Sequence, residues 1–128
     1  MRFLLDTCTF LWMVSDQARL SEACRNNLVD PANEVLLSSV SAWEICIKHK
    51  LGGLTLSEAP QQFVPKFRAM HGVSELALDE PSVLQLPRLP DIHKDPFDRV
   101  LVCQAIEHGL TILTPDPLIT QYPVRTAW

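Results

Sequence analysis

Arg2-Phe3-Leu4-Leu5-Asp6-Thr7, at the start of the chain, decides the fold. Phe3, Leu4 and Leu5 are apolar without alternation, the pattern of a strand buried on both faces of a parallel sheet, and the run ends at an acid and a hydroxyl. It is read as the first and central strand. Parallel neighbours need crossover connections, and the following residues supply them. Phe10, Leu11, Met13 and Val14 predict a short helix, and Leu20, Ala23, Cys24, Leu28 and Val29 repeat at helical spacing until Asp30-Pro31 stops them.

The same alternation continues. Val35 to Ser38 reads as the second strand. Trp43, Ile45, Cys46, Ile47 and Leu51 then form a helix closed by Gly52-Gly53, with Lys48, His49 and Lys50 near its negative end. Pro60 suits the first turn of another helix, striped by Phe63, Val64 and Phe67, although Pro65 leaves its start open. Val73 to Leu78 is a third strand, and a short helix from Pro81 to Leu86 leads into an irregular Pro87-Arg88-Leu89-Pro90 connector. His93-Lys94-Asp95-Pro96-Phe97-Asp98 opens a helix reaching His108, with Gly109 as its cap. Thr111 to Leu113 is a strand ending in Thr114-Pro115-Asp116-Pro117, and Val124 to Ala127 is a last edge strand. This order predicts a three-layer α/β/α fold with a central, mostly parallel sheet, forming one domain over residues 1–128.

Composition agrees with such a domain. The chain has 128 residues, enough for one core without a disulfide or structural metal, and is 47% hydrophobic and 20% charged with no low-complexity tract. The first apolar run meets Asp6 too early for a signal-peptide core, and no run approaches the ~20 residues of a membrane span, so a cytoplasmic protein is expected. Cys8, Cys24, Cys46 and Cys103 lack the spacing of a zinc or redox motif and are expected as reduced, buried thiols. The net charge of −4 argues against a broad basic surface that binds nucleic acid by counterion release. It leaves room for a nuclease, whose acids a metal neutralises.

In parallel sheets the ligand crevice lies beyond the carboxyl ends of the strands. Four acids belong to that edge: Asp6 after the first strand, Glu44 early in the helix after the second, Asp98 at the start of the helix after the third, and Asp116 after the fourth. Glu22, Asp30, Glu34, Glu58 and Glu107 fall on outward faces or in turns. Helix capping offers a purely structural account, worth about 0.5–2 kcal/mol per site. Ser41-Ala42-Trp43-Glu44 has the form of a capping box, Asp95-Pro96-Phe97-Asp98 combines a cap, a first-turn proline and an acid, and Asp6 and Asp116 are also placed to cap. Capping does not explain four acids gathered on one edge, because neighbouring like charges raise each other's pKa and destabilise the fold. A divalent cation removes that penalty, and an all-oxygen donor set suits Mg²⁺ or Mn²⁺. Metal-assisted phosphodiester hydrolysis is the natural reaction class.

In this order, "LLDTCTFLW", "SSVSAWEICIKHKLGGL", "HKDPFDRVLVCQA" and "ILTPDPLI" resemble the PIN-domain ribonucleases, in particular the toxins of VapC-type toxin–antitoxin pairs. The resemblance covers nearly the whole chain. It implies a doubly wound α/β sandwich that commonly forms homodimers. It also implies a site in which Asp6, Glu44, Asp98 and Asp116 hold Mg²⁺ or Mn²⁺, an RNA substrate, and a cognate antitoxin that blocks the site. By the same likeness Asp98, rather than Asp95, is the metal-site acid, and Asp95 is mainly a cap. The hydroxyls matching Thr7 and Thr114 support the acids or water, against the alternative of backbone-bonded threonines. Arg99, His93 and Lys94 are placed to reach phosphate, with solvated side chains as the default. Trp12, Trp43 and Phe67 are candidates for a partner surface, with core packing the expected fate of each.

Two other readings compete. In one the acids are caps and the chain is a non-catalytic protein-binding module; in the other the fold serves a structure-specific DNA nuclease, although the short chain lacks the arch and basic segments such substrates need. A dehalogenase-like phosphatase fails because Cys8 stands where its second acid belongs, and a receiver domain fails for want of a lysine near the last strand.

Overall fold

The computed structural model describes residues Met1 to Trp128. Phe3 and Leu5 point to one side of the first strand and Leu4 to the other, and that period of two organises two cores. The strand β1 (Arg2–Leu5) lies at the centre of a five-stranded sheet, between β2 (Glu34–Ser38) and β4 (Thr111–Leu113). The edge strands are β3 (Ser74–Leu76) beside β2 and β5 (Thr126–Ala127) beside β4, giving the order β3-β2-β1-β4-β5. All four pairings are parallel, with Phe3 opposite Val35 and Leu4 opposite Ile112.

One face of the sheet packs Phe3, Leu5, Val35, Leu37 and Leu113 against residues from α1 (Thr7–Ser15), α2 (Glu22–Val29) and α4 (Pro60–Met70), among them Phe10, Met13, Cys24, Phe63 and Val64. The other packs Leu4, Leu36 and Ile112 against α6 (Pro96–His108), through Leu101, Val102 and Ala105. Full burial of each large apolar side chain contributes about 1.5–3 kcal/mol. The helix α3 (Ser39–Lys50) serves both layers, with Ile45 in the first cluster and Val40 in the second. The short α5 (Glu80–Val83) leans on α6. No helix is long and apolar enough to cross a membrane.

Several local details depart from the sequence reading. The cap of α3 is Ser38, whose hydroxyl accepts from Val40 N at 3.0 Å, so the helix begins before Ser41 and the expected capping box is absent. Ser41 is instead buried inside the first turns. Pro65 lies within α4, which starts at Pro60. The third and fifth strands are shorter than expected, and the connector 86–88 winds into a 3-10 turn. Trp12 and Phe67 pack against the first core, but Trp43 is 57% exposed, contacting Phe97 edge-on at 4.9 Å. Cys24 and Cys103 are buried as expected, whereas Cys46 is exposed and Cys8 half-buried; all four thiols are free. Gly109 ends α6 at φ +66, the left-handed position that glycine takes without strain.

Two buried polar ties set α1, α3 and α6 relative to the sheet. Thr9 Oγ1 donates to Leu113 O at 2.8 Å, fixing α1 to β4. Ser38 Oγ donates to Gln104 Oε1 at 2.5 Å, fixing the start of α3 to the middle of α6. The three helices, and the chain after β1 and β4, therefore meet at the carboxyl edge of the sheet.

Candidate active site

A cleft of about 350 Å³ opens at this edge, lined by Asp6, Glu44, Asp95, Asp98 and Asp116 together with Thr7, Cys8 and Lys48. The acids predicted from their positions after strands are thus brought together, each by a different element.

Asp6 directly follows β1 and occupies the N-cap position of α1, yet its side chain makes no capping bond. Its Oδ2 accepts from Thr114 Oγ1 at 2.7 Å and from Cys8 Sγ at 3.4 Å. The carboxyl is buried, and burial holds its pKa above the ordinary aspartate range even though those two hydrogen bonds pull it down. Thr114 is shared: the backbone N–H of Asp116 donates to the same hydroxyl at 3.0 Å. Asp116 in turn accepts from Leu118 N at 2.8 Å, so one of its oxygens closes the turn after β4.

Glu44 lies in the second turn of α3 and is 3% exposed. Thr7 Oγ1 donates to Glu44 Oε1 at 2.7 Å, and Ser41 Oγ lies 2.8 Å from the same threonine hydroxyl. Lys48, one helical turn on, donates to Glu44 Oε2. That bond, with the negative field of Asp95 and Asp98 beside it, raises the lysine pKa, so the ammonium is a resident counter-charge. From sequence, Lys48 is distinguished only by its place near the helix end. Its spacing of four residues from Glu44 was the available signal.

Asp95 caps α6, its Oδ1 accepting from Phe97 N at 2.9 Å and Asp98 N at 3.2 Å. The capping role expected for it is present, and it also lines the cleft. Asp98, in the first turn of α6, is the most perturbed of the acids: burial first, then the charges of Asp6, Asp95, Glu44 and Asp116, push its pKa up to about 8. The ligand-capable atoms of Asp98, Asp116 and His93 lie within 4.8 Å of one another. His93 was expected to be solvated; its side chain is 9% exposed and faces Asp98. Arg99 does not point at the acids. Its guanidinium donates to Pro90 O at 3.0 Å and to Tyr122 Oη at 3.3 Å, bracing the loop before α6. Lys94 is exposed, as its default reading had it.

This arrangement defines a parallel α/β/α fold carrying a carboxylate cleft where its strands end. A model of the PIN domain family matches residues 3–124, and the chain belongs to that family. Among curated proteins, Ribonuclease VapC16 of Mycobacterium tuberculosis is 42% identical over 50 residues, a match spanning 39% of this chain and about a third (36%) of that protein's length. Solved structures share the fold over nearly its full extent. A VapBC2 complex from Rickettsia felis bound to a promoter DNA fragment aligns with TM-score 0.74 and 14% identity, covering 100% of this chain and 99% of that one. A DNA-bound VapBC from Salmonella typhimurium aligns with TM-score 0.71 and 17% identity, covering 99% and 97%.

Proposed function

We propose that this chain is a Mg²⁺- or Mn²⁺-dependent endoribonuclease, the toxin of a toxin–antitoxin pair, with Asp6, Glu44, Asp98 and Asp116 as its metal-holding and catalytic carboxylates. The observation that carries the reading is the convergence of these acids in one cleft, where Asp98 is pushed up to about 8 by burial and by the charge of its neighbours. Such a cluster destabilises the metal-free fold, and a cation relieves it. The donor set is of hard carboxylate oxygens, which fits Mg²⁺ or Mn²⁺ rather than zinc.

A bound ion supplies charge neutralisation and Lewis-acid activation of water and phosphate. The protein's own groups prepare the site. Thr114 orients Asp6 and Asp116 together, Thr7 orients Glu44, and Asp95 holds the start of α6 so that Asp98 faces the cleft. Lys48 balances the buried Glu44 in the absence of substrate. Arg99 acts through the loop it braces rather than on phosphate.

Membership of the PIN family and the ribonuclease name of the curated relative support RNA hydrolysis. The toxin–antitoxin complexes among the structural neighbours support an antitoxin partner. An apolar groove lined by Leu11, Val14, Leu54, Leu56, Phe63 and Phe67 adjoins the cleft through Leu11 and Leu54 and has the chemistry to seat such a partner. A homodimer and a cytoplasmic location belong to the same reading.

The test is cleavage of total cellular RNA by the purified protein in Mn²⁺ or Mg²⁺, against EDTA and against Asp98→Asn folded to the same extent. Discrete fragments that need both metal and Asp98 are expected, and their ends identify the target. No metal-dependent cleavage by a folded, antitoxin-free preparation would favour a protein-binding module instead.

A further inference from the structure

His93 is the one imidazole at the carboxylate cleft, and its surroundings fix both its place and its tautomer. The backbone on either side is clasped: His93 N donates to Tyr122 Oη at 3.2 Å, and the tyrosine ring stands edge-on to the imidazole at 5.8 Å. Tyr122 is itself buried and held by Arg99. The ring nitrogen Nδ1 accepts the backbone N–H of Asp95 at 3.1 Å. Turning the ring over would set a carbon against that N–H, so the orientation is determined. With the Nδ1 lone pair engaged, the proton of the neutral ring sits on Nε2.

Nε2 is buried, without a hydrogen-bond partner, and 3.4 Å from Asp98 Oδ2. That separation exceeds a well-formed N–H···O bond of roughly 2.7–3.2 Å. The proximity of His93, Asp98 and Asp116 invites the idea of an imidazole ligand. The tautomer argues otherwise, because a nitrogen that carries a proton offers no lone pair to a cation.

We propose that His93 is a positioning residue for Asp98: its Nε2–H engages Oδ2 of that carboxylate when a divalent cation is bound, steering the other oxygen to the ion without joining its ligands. This rests on the metal-dependent reading above. Outer-shell donors of this kind fix ligand orientation, and removing one commonly weakens metal binding by roughly 10–100-fold.

Mn²⁺ alone is the probe, read on the full chain without RNA. Titrations followed by the free-ion paramagnetic resonance signal give affinities for the wild type, His93→Ala and His93→Gln; pulsed resonance reports whether nitrogen coordinates the ion. His93→Ala should bind Mn²⁺ about tenfold more weakly. His93→Gln, whose amide N–H reaches the position of Nε2, should remain within about threefold of wild type, and no nitrogen ligand should be seen. Wild-type affinity in His93→Ala, or a directly bound imidazole nitrogen, overturns the proposal while leaving the metal site standing. If His93→Ala does not fold, His93→Gln decides alone, and a tenfold loss there counts against a donor role. Absence of Mn²⁺ binding by the wild type would overturn this inference and the metal-dependent reading together.

Discussion

Replacing Asp98 by asparagine removes a charge while keeping the shape of the side chain, and its effect on metal-free stability follows from proton linkage. Unfolded, the Asp98 carboxyl releases its proton near 3.8; folded, it does so near 8. Between those values the folded chain holds a proton that the unfolded chain has lost. Stability therefore falls as pH rises through that window, by at most about 1.4 kcal/mol per pH unit, and levels off above it. Carried across the whole interval the slope would remove about 6 kcal/mol. Residual solvent access at the mouth of the cleft and counter-ions reduce this to about 2–3 kcal/mol. The asparagine variant has no such proton to lose at this position. It should equal the wild type near pH 4 and exceed it by about 2 kcal/mol at pH 8 in EDTA, which for a domain of this size corresponds to roughly 5–10 °C in melting temperature.

Urea or thermal unfolding of both proteins, from pH 4 to 9 in EDTA, measures the two profiles. A divalent cation should reverse their order at pH 8, because the wild type binds it more tightly and gains stability by mass action. Parallel profiles in EDTA, or an asparagine variant less stable than wild type at pH 8, would refute the argument that like-charge crowding and burial govern this side chain.

Two further perturbations separate the groups that serve the acids. Lys48→Met should destabilise the metal-free protein by about 1–2 kcal/mol, since it strands Glu44 without its counter-charge, and the deficit should shrink in saturating Mn²⁺; an unchanged deficit on adding metal argues against the lysine as a stand-in for the ion. Thr114→Val deletes the hydroxyl that bonds both Asp6 and the backbone of Asp116, costing about 1–3 kcal/mol by chemical denaturation and blunting the thermal response to Mn²⁺, whereas Glu58→Gln, on an outward face paired with Lys66, should leave that response intact.

The parts of this structure legible in the sequence are those that local chemistry dictates. Phe3-Leu4-Leu5 can only be satisfied by burial on both faces, and the two cores divide those side chains as the unalternating run requires. Asp95-Pro96 and Gly109 bound α6 because a cap, a fixed φ and a left-handed turn are properties of single residues. The start of α3 differs from its local signal for a related reason. Ser38 and Ser41 are both competent caps, and the choice fell to Ser38 through its buried bond to Gln104, far away in sequence.

The same distinction runs through the site. The acids could be assigned to one edge from topology, since each follows a strand or opens a helix. Their supports divide: Thr7 with Glu44 and Thr114 with Asp6 are contacts between segments, expected only through the family resemblance and brought about by the sheet, whereas Lys48 and His93 stand close in sequence to Glu44 and Asp98 and only their side-chain directions wait on packing. The consequence is energetic as well as descriptive. In the unfolded chain each acid is solvated and ordinary; folding brings them together, buries them, and commits Thr7, Thr114, Lys48 and His93 to serve them. The burial that stabilises β1 and α6 also delivers Asp6 and Asp98 to the cleft, so the cost of crowding is imposed by the fold itself. That cost is the driving force with which the proposed metal site would take up its ion.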